Sequence, residues 1–182
     1  MKKVYILIIA LLCIVVLNTQ AQISIGATVG GQIPMGSFAD ACKVGFGFNV
    51  VGKYMLKENI AVGLNLGYQR FGTKLGDMEG VSVAGSWIPV TALFEYHFGT
   101  GKAKPYIGAD AGLYRFTATA HSGGMSVSAS VSDFGFAPVF GITSGINDNL
   151  SFCANVKYNC VLTEGEASSW IGINAGLIFK IK

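Results

Sequence analysis

From residue 22 onward this chain repeats a single pattern, an alternation of period two that sets apolar side chains against glycine, asparagine, serine and threonine. Within residues 60–69 the even positions are Ile60, Val62, Leu64, Leu66 and Tyr68, and the odd ones are Ala61, Gly63, Asn65, Gly67 and Gln69. Successive side chains of a strand point to opposite faces, so each such segment is a strand with one apolar face and one small or polar face. About eight of these segments follow one another, separated by turn residues. A closed antiparallel barrel, apolar outside and polar inside, carries this signature when its outer face meets lipid.

Composition supports that reading. Charged residues make up 13% of the chain and hydrophobic ones 51%, with a mean hydropathy of +0.50. A soluble domain carries about 25% charge. Past the N-terminus no run of about 20 apolar residues could form a spanning helix, so a membrane chain of this kind must close its hydrogen bonds as a barrel. Residues 1–21 read as a cleaved export signal: Lys2 and Lys3, an apolar core from Val4 to Leu17, then Thr19-Gln20-Ala21. The expected mature domain is 22–182. Two of the 13 basic residues lie in the leader, which leaves basic and acidic groups almost balanced. No basic patch for nucleic acid is present.

The segments predict an all-β, eight-stranded, up-and-down transmembrane barrel. The strands fall at about 22–34, 42–56, 60–71, 85–98, 105–118, 133–146, 150–162 and 169–181. Leu64, Leu66, Phe94, Phe140, Val156 and Ile173 fall on the apolar, lipid-facing side. Pro138 sits inside the sixth strand, where a residue without an N–H predicts a local irregularity. The connections at 57–59, 99–104 and 147–149 are tight, and those at 35–41, 72–84, 119–132 and 163–168 are mostly longer. Short periplasmic turns and longer external loops predict both termini on the periplasmic side. The loop at 119–132 is the longest, although Ser126-Val127-Ser128 could extend a strand. Tyr54, Tyr96, Phe98, Phe152 and Phe179 fall near one set of strand ends, and Tyr68, Phe71, Trp87, Phe134 and Trp170 near the other. These positions suit two interfacial aromatic girdles.

Several stretches resemble the small outer-membrane barrels of OmpA, OmpX and OmpW type, and most of all the stand-alone outer membrane protein beta-barrel domain proteins. They are Pro34-Met35-Gly36-Ser37-Phe38, Gly45-Phe46-Gly47-Phe48, Gly52-Lys53-Tyr54, the run from Pro105 to Gly112, and Gly176-Leu177-Ile178-Phe179. The resemblance covers the whole mature chain and implies a monomer in the cell outer membrane. Its implied partners are outer-membrane lipids, lipopolysaccharide and the barrel-assembly machinery, with any external ligand unspecified. Members often end in an aromatic residue, whereas this chain ends Phe179-Lys180-Ile181-Lys182.

Chemistry is sparse. His97 and His121 are the only histidines, with no spacing that pairs them as metal ligands. No catalytic residue or cofactor is assigned. His121-Ser122 is the one pair that suits a lipid-modifying enzyme, and a lipocalin-like soluble barrel is a further alternative. The inward charges carry more information. Glu95 and Asp110 flank one tight turn and are expected at similar depth, with Lys157 reaching them from across the barrel. An eight-stranded barrel is just wide enough for side chains to fill. Glu95, Asp110, Lys157, Asn65, Asn155 and Asn174 are therefore expected to form a polar plug. A structural or loop-mediated role follows if the plug is tight, and a narrow pore for ions or small amphipathic solutes if it is not. Cys153 and Cys160 lie roughly 23 Å apart on one strand, too far to bridge. Cys42 and Cys160 share a rim on non-adjacent strands. Three small buried cysteines are expected, with a disulfide left open.

Overall fold

Alternation over 12–21 residues gives strands long enough to cross a membrane at a tilt, and pairing each with its sequence neighbours leaves no free edge only if the first meets the last. In the computed structural model it does. The described residues are 22–74, 81–122, 125–163, 165 and 167–181, with the side chains of 81–84, 120–122 and 125–128 excluded. The leader expected at 1–21, and Asp77, Glu79, Glu164 and Glu166, lie outside them. The elements are β1 (Ile23–Met35), α1 (Ser37–Ala41), β2 (Gly45–Lys57), β3 (Ile60–Gly72), β4 (Val81–His97), β5 (Ala103–Ser122), β6 (Met125–Gly145), β7 (Leu150–Val161) and β8 (Ser168–Ile181). They form a closed antiparallel barrel in sequence order. The β1–β8 ladder from Ile23↔Ile181 to Met35↔Ser169 closes it. We call the end that holds Ile23, Ile181 and the three tight turns the terminal end, and the opposite one the loop end.

The outer face is apolar throughout the middle of the barrel. Leu64 is 67% exposed and Phe140 62%, and Leu66, Phe94, Val156 and Ile173 are also exposed there. Tyr96, Phe98, Phe152 and Phe179 face outward at the terminal end. Pro138 faces outward, and the β6–β7 ladder lapses between Phe136↔Cys160 and Val139↔Lys157 without a change of register. Cys42 and Cys153 are buried and Cys160 half-buried, and all three are free thiols. Burial pushes the Cys42 thiol upward, with Lys74 acting in the opposite sense.

Three expectations about the loop end need correction. First, 35–41 is not a plain loop. Gly36 adopts φ +57°, a conformation glycine reaches without a Cβ penalty, and the chain turns there into the five-residue α1. Second, 119–132 is mostly strand. The β5–β6 ladder runs from Ala103↔Ser144 out to Ser122↔Met125, and β4 reaches Val81, opposite Ser122. Ser128, Ser130 and Ser132 oppose Thr119, Thr117 and Arg115, so serine there belongs to an alternating strand rather than a loop. Third, Phe71, Trp87 and Trp170 are no interfacial girdle, because all three point into the barrel with at most 2% exposure. Tyr68 and Phe134, at the same end, do face outward.

Candidate functional site

The lumen has two layers, and strand parity assigns residues to it. Toward the terminal end lies a polar layer. Lys157 Nζ donates to Asp110 Oδ2 at 2.6 Å. Lys53 Nζ lies 2.8 Å from both Glu95 oxygens, and His97 Nε2 is 3.1 Å from Glu95 Oε2. The sequence-predicted trio is therefore two pairs. Asp110 and Lys157 come together, while Glu95 takes Lys53, a lysine outside the predicted cluster. The reason is register: Glu95 opposes Gly108, and Asp110 opposes Leu93. The carboxylates are thus offset by two residues, about 7 Å along the strands, and each needs its own cation. Lys53 also lies 5.2 Å above the centre of the Tyr106 ring.

Amides and hydroxyls bind the strands to one another across the interior. One chain of donors runs from Gln32 to Asn174 (3.1 Å), Asn174 to Asn155 (3.0 Å) and Asn155 to the Tyr106 hydroxyl (3.4 Å), linking β1, β8, β7 and β5. A second runs from Asn65 to Thr91 (3.3 Å) and Thr91 to Asp110 (3.5 Å), linking β3, β4 and β5. All three predicted asparagines therefore take part. Gln32, Thr91 and Tyr106 were not singled out as site residues, yet each has inward parity on its strand.

β6 provides the room for these side chains. A Cβ added at Gly141 would stand 2.5 Å from the Tyr106 ring, and one at Gly135 2.7 Å from the Tyr114 ring. Each tyrosine thus packs over a glycine of the neighbouring strand. Within the polar layer lies a cavity of about 20 Å³ bordered by Lys53, Glu95, Tyr106, Asp110, Asn155 and Lys157. A single water requires roughly 10–15 Å³, so the void is water-sized.

Toward the loop end the filling becomes aromatic. Trp170 stacks on Trp87 at 5.6 Å and meets Phe71 at 5.7 Å and Tyr114 at 5.9 Å. Cys42 and Val161 complete the buried cluster. Phe38, carried by α1, lies edge-on to Phe71 at 5.1 Å and 5.9 Å from Trp170. The helix thereby places a ring over the mouth of the barrel. Lys74 Nζ donates to the Ala39 carbonyl at 2.6 Å and holds α1 to the end of β3.

Among the described residues no group of three or more His, Cys, Asp or Glu is placed to hold a metal. The side chain of His121 lies outside those residues.

Comparison with known proteins agrees with this architecture. Residues 7–179 match the family model described as "Outer membrane protein beta-barrel domain". No curated protein matches the chain. Among solved structures it is similar to Neisserial surface protein A (TM-score 0.66, 19% identity, 88% of this chain and 99% of that one). It is also similar to a major outer membrane protein of Thermus thermophilus (TM-score 0.64, 12% identity, 89% and 100%). A third is the N-terminal barrel domain of Pseudomonas aeruginosa OprF (TM-score 0.52, 18% identity, 89% and 100%). At these identities the likeness is one of fold.

Proposed function

Since the chain belongs to the outer membrane protein beta-barrel domain family, we propose that it is a sealed outer-membrane barrel that acts through its loop end rather than through its lumen. The observation that carries this reading is the filled interior. Two ion pairs occupy one layer and an aromatic cluster the next, and the void beside the ion pairs is water-sized. The reading includes an export leader at 1–21, periplasmic termini and a non-catalytic role. His97 is engaged by Glu95 and lies 5.0 Å from the Tyr106 ring, which suits a structural histidine.

What the loop end offers is a raised sheet. β4, β5 and β6 continue past the barrel, while β7 pairs with β6 no further than Gly135↔Val161. The stretch of β6 from Met125 to Val131 therefore has β5 on one side and no strand pairing on the other among the described residues. An unpaired edge without charge or proline is a template for an added strand. Its natural occupant is an extended segment of an external protein. Replacing 119–128 with a two-residue turn, which joins the opposed residues Ala118 and Ala129, tests this. The trimmed barrel is expected to fold with an unchanged unfolding midpoint, and cells carrying it to adhere less to protein-coated surfaces than cells with the full chain at equal surface density. Equal adhesion would count against the loop-end role.

A narrow pore is the second reading, favoured by the void between the ion pairs. It requires the ion pairs and the aromatic cluster to move aside together.

A further inference from the structure

The chain has only two arginines, Arg70 and Arg115, and both are exposed on the outer face of the barrel near the loop end. Their rows are adjacent. Ladder pairing puts Arg70, Ser86, Thr117 and Ser130 side by side on β3, β4, β5 and β6, and puts Ile88, Arg115 and Ser132 in the row next to it. One step further toward the middle lies a wholly apolar row of Leu66, Val90, Leu113 and Phe134, each at least half exposed.

The outer face of β3–β6 thus changes from hydrocarbon to guanidinium and hydroxyl within one or two side-chain steps of about 7 Å each. Two strands and one step separate the arginine backbones, roughly 12 Å from strand spacing and rise. Two arginine side chains can converge on one group across that span. Among the described residues neither guanidinium has a carboxylate within ion-pair distance. Further round the wall Leu162 beside Phe134 is apolar, and the outward row of Tyr158, Ile171 and Ile33 carries no charge.

We propose that Arg70 and Arg115 hold a phosphate of a phosphorylated glycolipid in the leaflet at the loop end. Its acyl chains lie along Leu66, Val90, Leu113 and Phe134, and its sugar hydroxyls meet Ser86, Thr117 and Ser130. Planar guanidinium matches the oxygens of phosphate in a bidentate way that lysine cannot. The hydroxyls of Ser86, Thr117 and Ser130, in line with Arg70 and beside Arg115, suit a sugar better than a plain phospholipid head. Assigning the lipid to the outer leaflet rests on the proposed orientation, with the loop end outward.

The test is lipid binding by the full-length mature protein in detergent micelles, followed by native mass spectrometry. The probes are bis-phosphorylated lipid A, its dephosphorylated form and phosphatidylethanolamine. Wild type is expected to retain the phosphorylated form preferentially. Arg70→Gln with Arg115→Gln should weaken it about tenfold or more, Arg→Lys at both sites should give an intermediate loss, and Lys102→Gln with Lys180→Gln at the terminal end should change nothing. Heat-modifiable gel mobility confirms that each variant is folded, and the lysine pair serves if the glutamine pair is not. Equal retention by wild type and the arginine variants, or equal retention of the dephosphorylated lipid, overturns the site. An epitope inserted in the turn at 147–149 reads orientation separately. Detection of it on intact cells overturns the outer-leaflet glycolipid, whatever the micelle result.

Discussion

Replacing Lys157 with methionine lowers the unfolding free energy of the barrel by about 3 kcal/mol, measured by urea titration in detergent micelles. The size follows from what is left behind. Asp110 is 4% exposed, and among the described residues the cation paired with it is Lys157 at 2.6 Å. Removing one partner of a buried pair costs about 3–5 kcal/mol, because the remaining charge has lost its water and gained nothing in return. The water-sized void beside the pair puts the effect at the lower end, since a water there can partly solvate the carboxylate. Pairing Lys157→Met with Asp110→Leu should recover most of the loss, because an apolar pair of similar volume leaves no charge stranded. A double variant as unstable as the single one would show that the lysine acts through packing and not through Asp110.

Trp170→Ala is the second large effect, expected at about 4 kcal/mol. The indole is fully buried and touches Phe38, Phe71, Trp87 and Tyr114. Truncating a buried aromatic to alanine costs roughly 3–5 kcal/mol, part of it for the cavity that remains. The chain has two tryptophans, and both lie in this cluster. Intrinsic fluorescence therefore reports on the aromatic layer alone. Wild type should emit to the blue and resist acrylamide. In the variant, Trp87 should shift to the red and become quenchable. A variant that loses stability while its remaining indole stays dry would mean that the layer closes over the gap.

How much of this was legible beforehand differs between the two layers of the lumen. Barrel class, strand number and order, and the inward parity of Glu95, Asp110, Lys157, Asn65, Asn155 and Asn174 all follow from alternation and turn residues. Alternation does not give the stagger between strands. The two-residue offset that separates Glu95 from Asp110 and gives Glu95 to Lys53 is a property of the register, which only the paired ladders define. For the aromatic layer the signal was present. Phe71 shares parity with Gln69 and Asn65, Trp87 with Thr91 and Glu95, and Trp170 with Gly172 and Asn174. A position near the rim suggested an interfacial girdle, and parity, the stronger constraint within a strand, placed these rings inside. Past the barrel, composition misled for a physical reason. In the extension of β5 and β6 the outward positions Thr117, Thr119, Ser130 and Ser132 carry hydroxyls where the barrel carries apolar side chains, so the segment reads as a loop.

The central claim is that the lumen is closed, and single-channel recording tests it most directly. The mature protein, refolded in detergent and shown to be folded by heat-modifiable mobility and by blue tryptophan emission, is inserted into a planar bilayer under voltage. The filled polar layer and the aromatic layer above it predict a flat baseline. Reproducible unitary current steps from protein shown to be folded would contradict it.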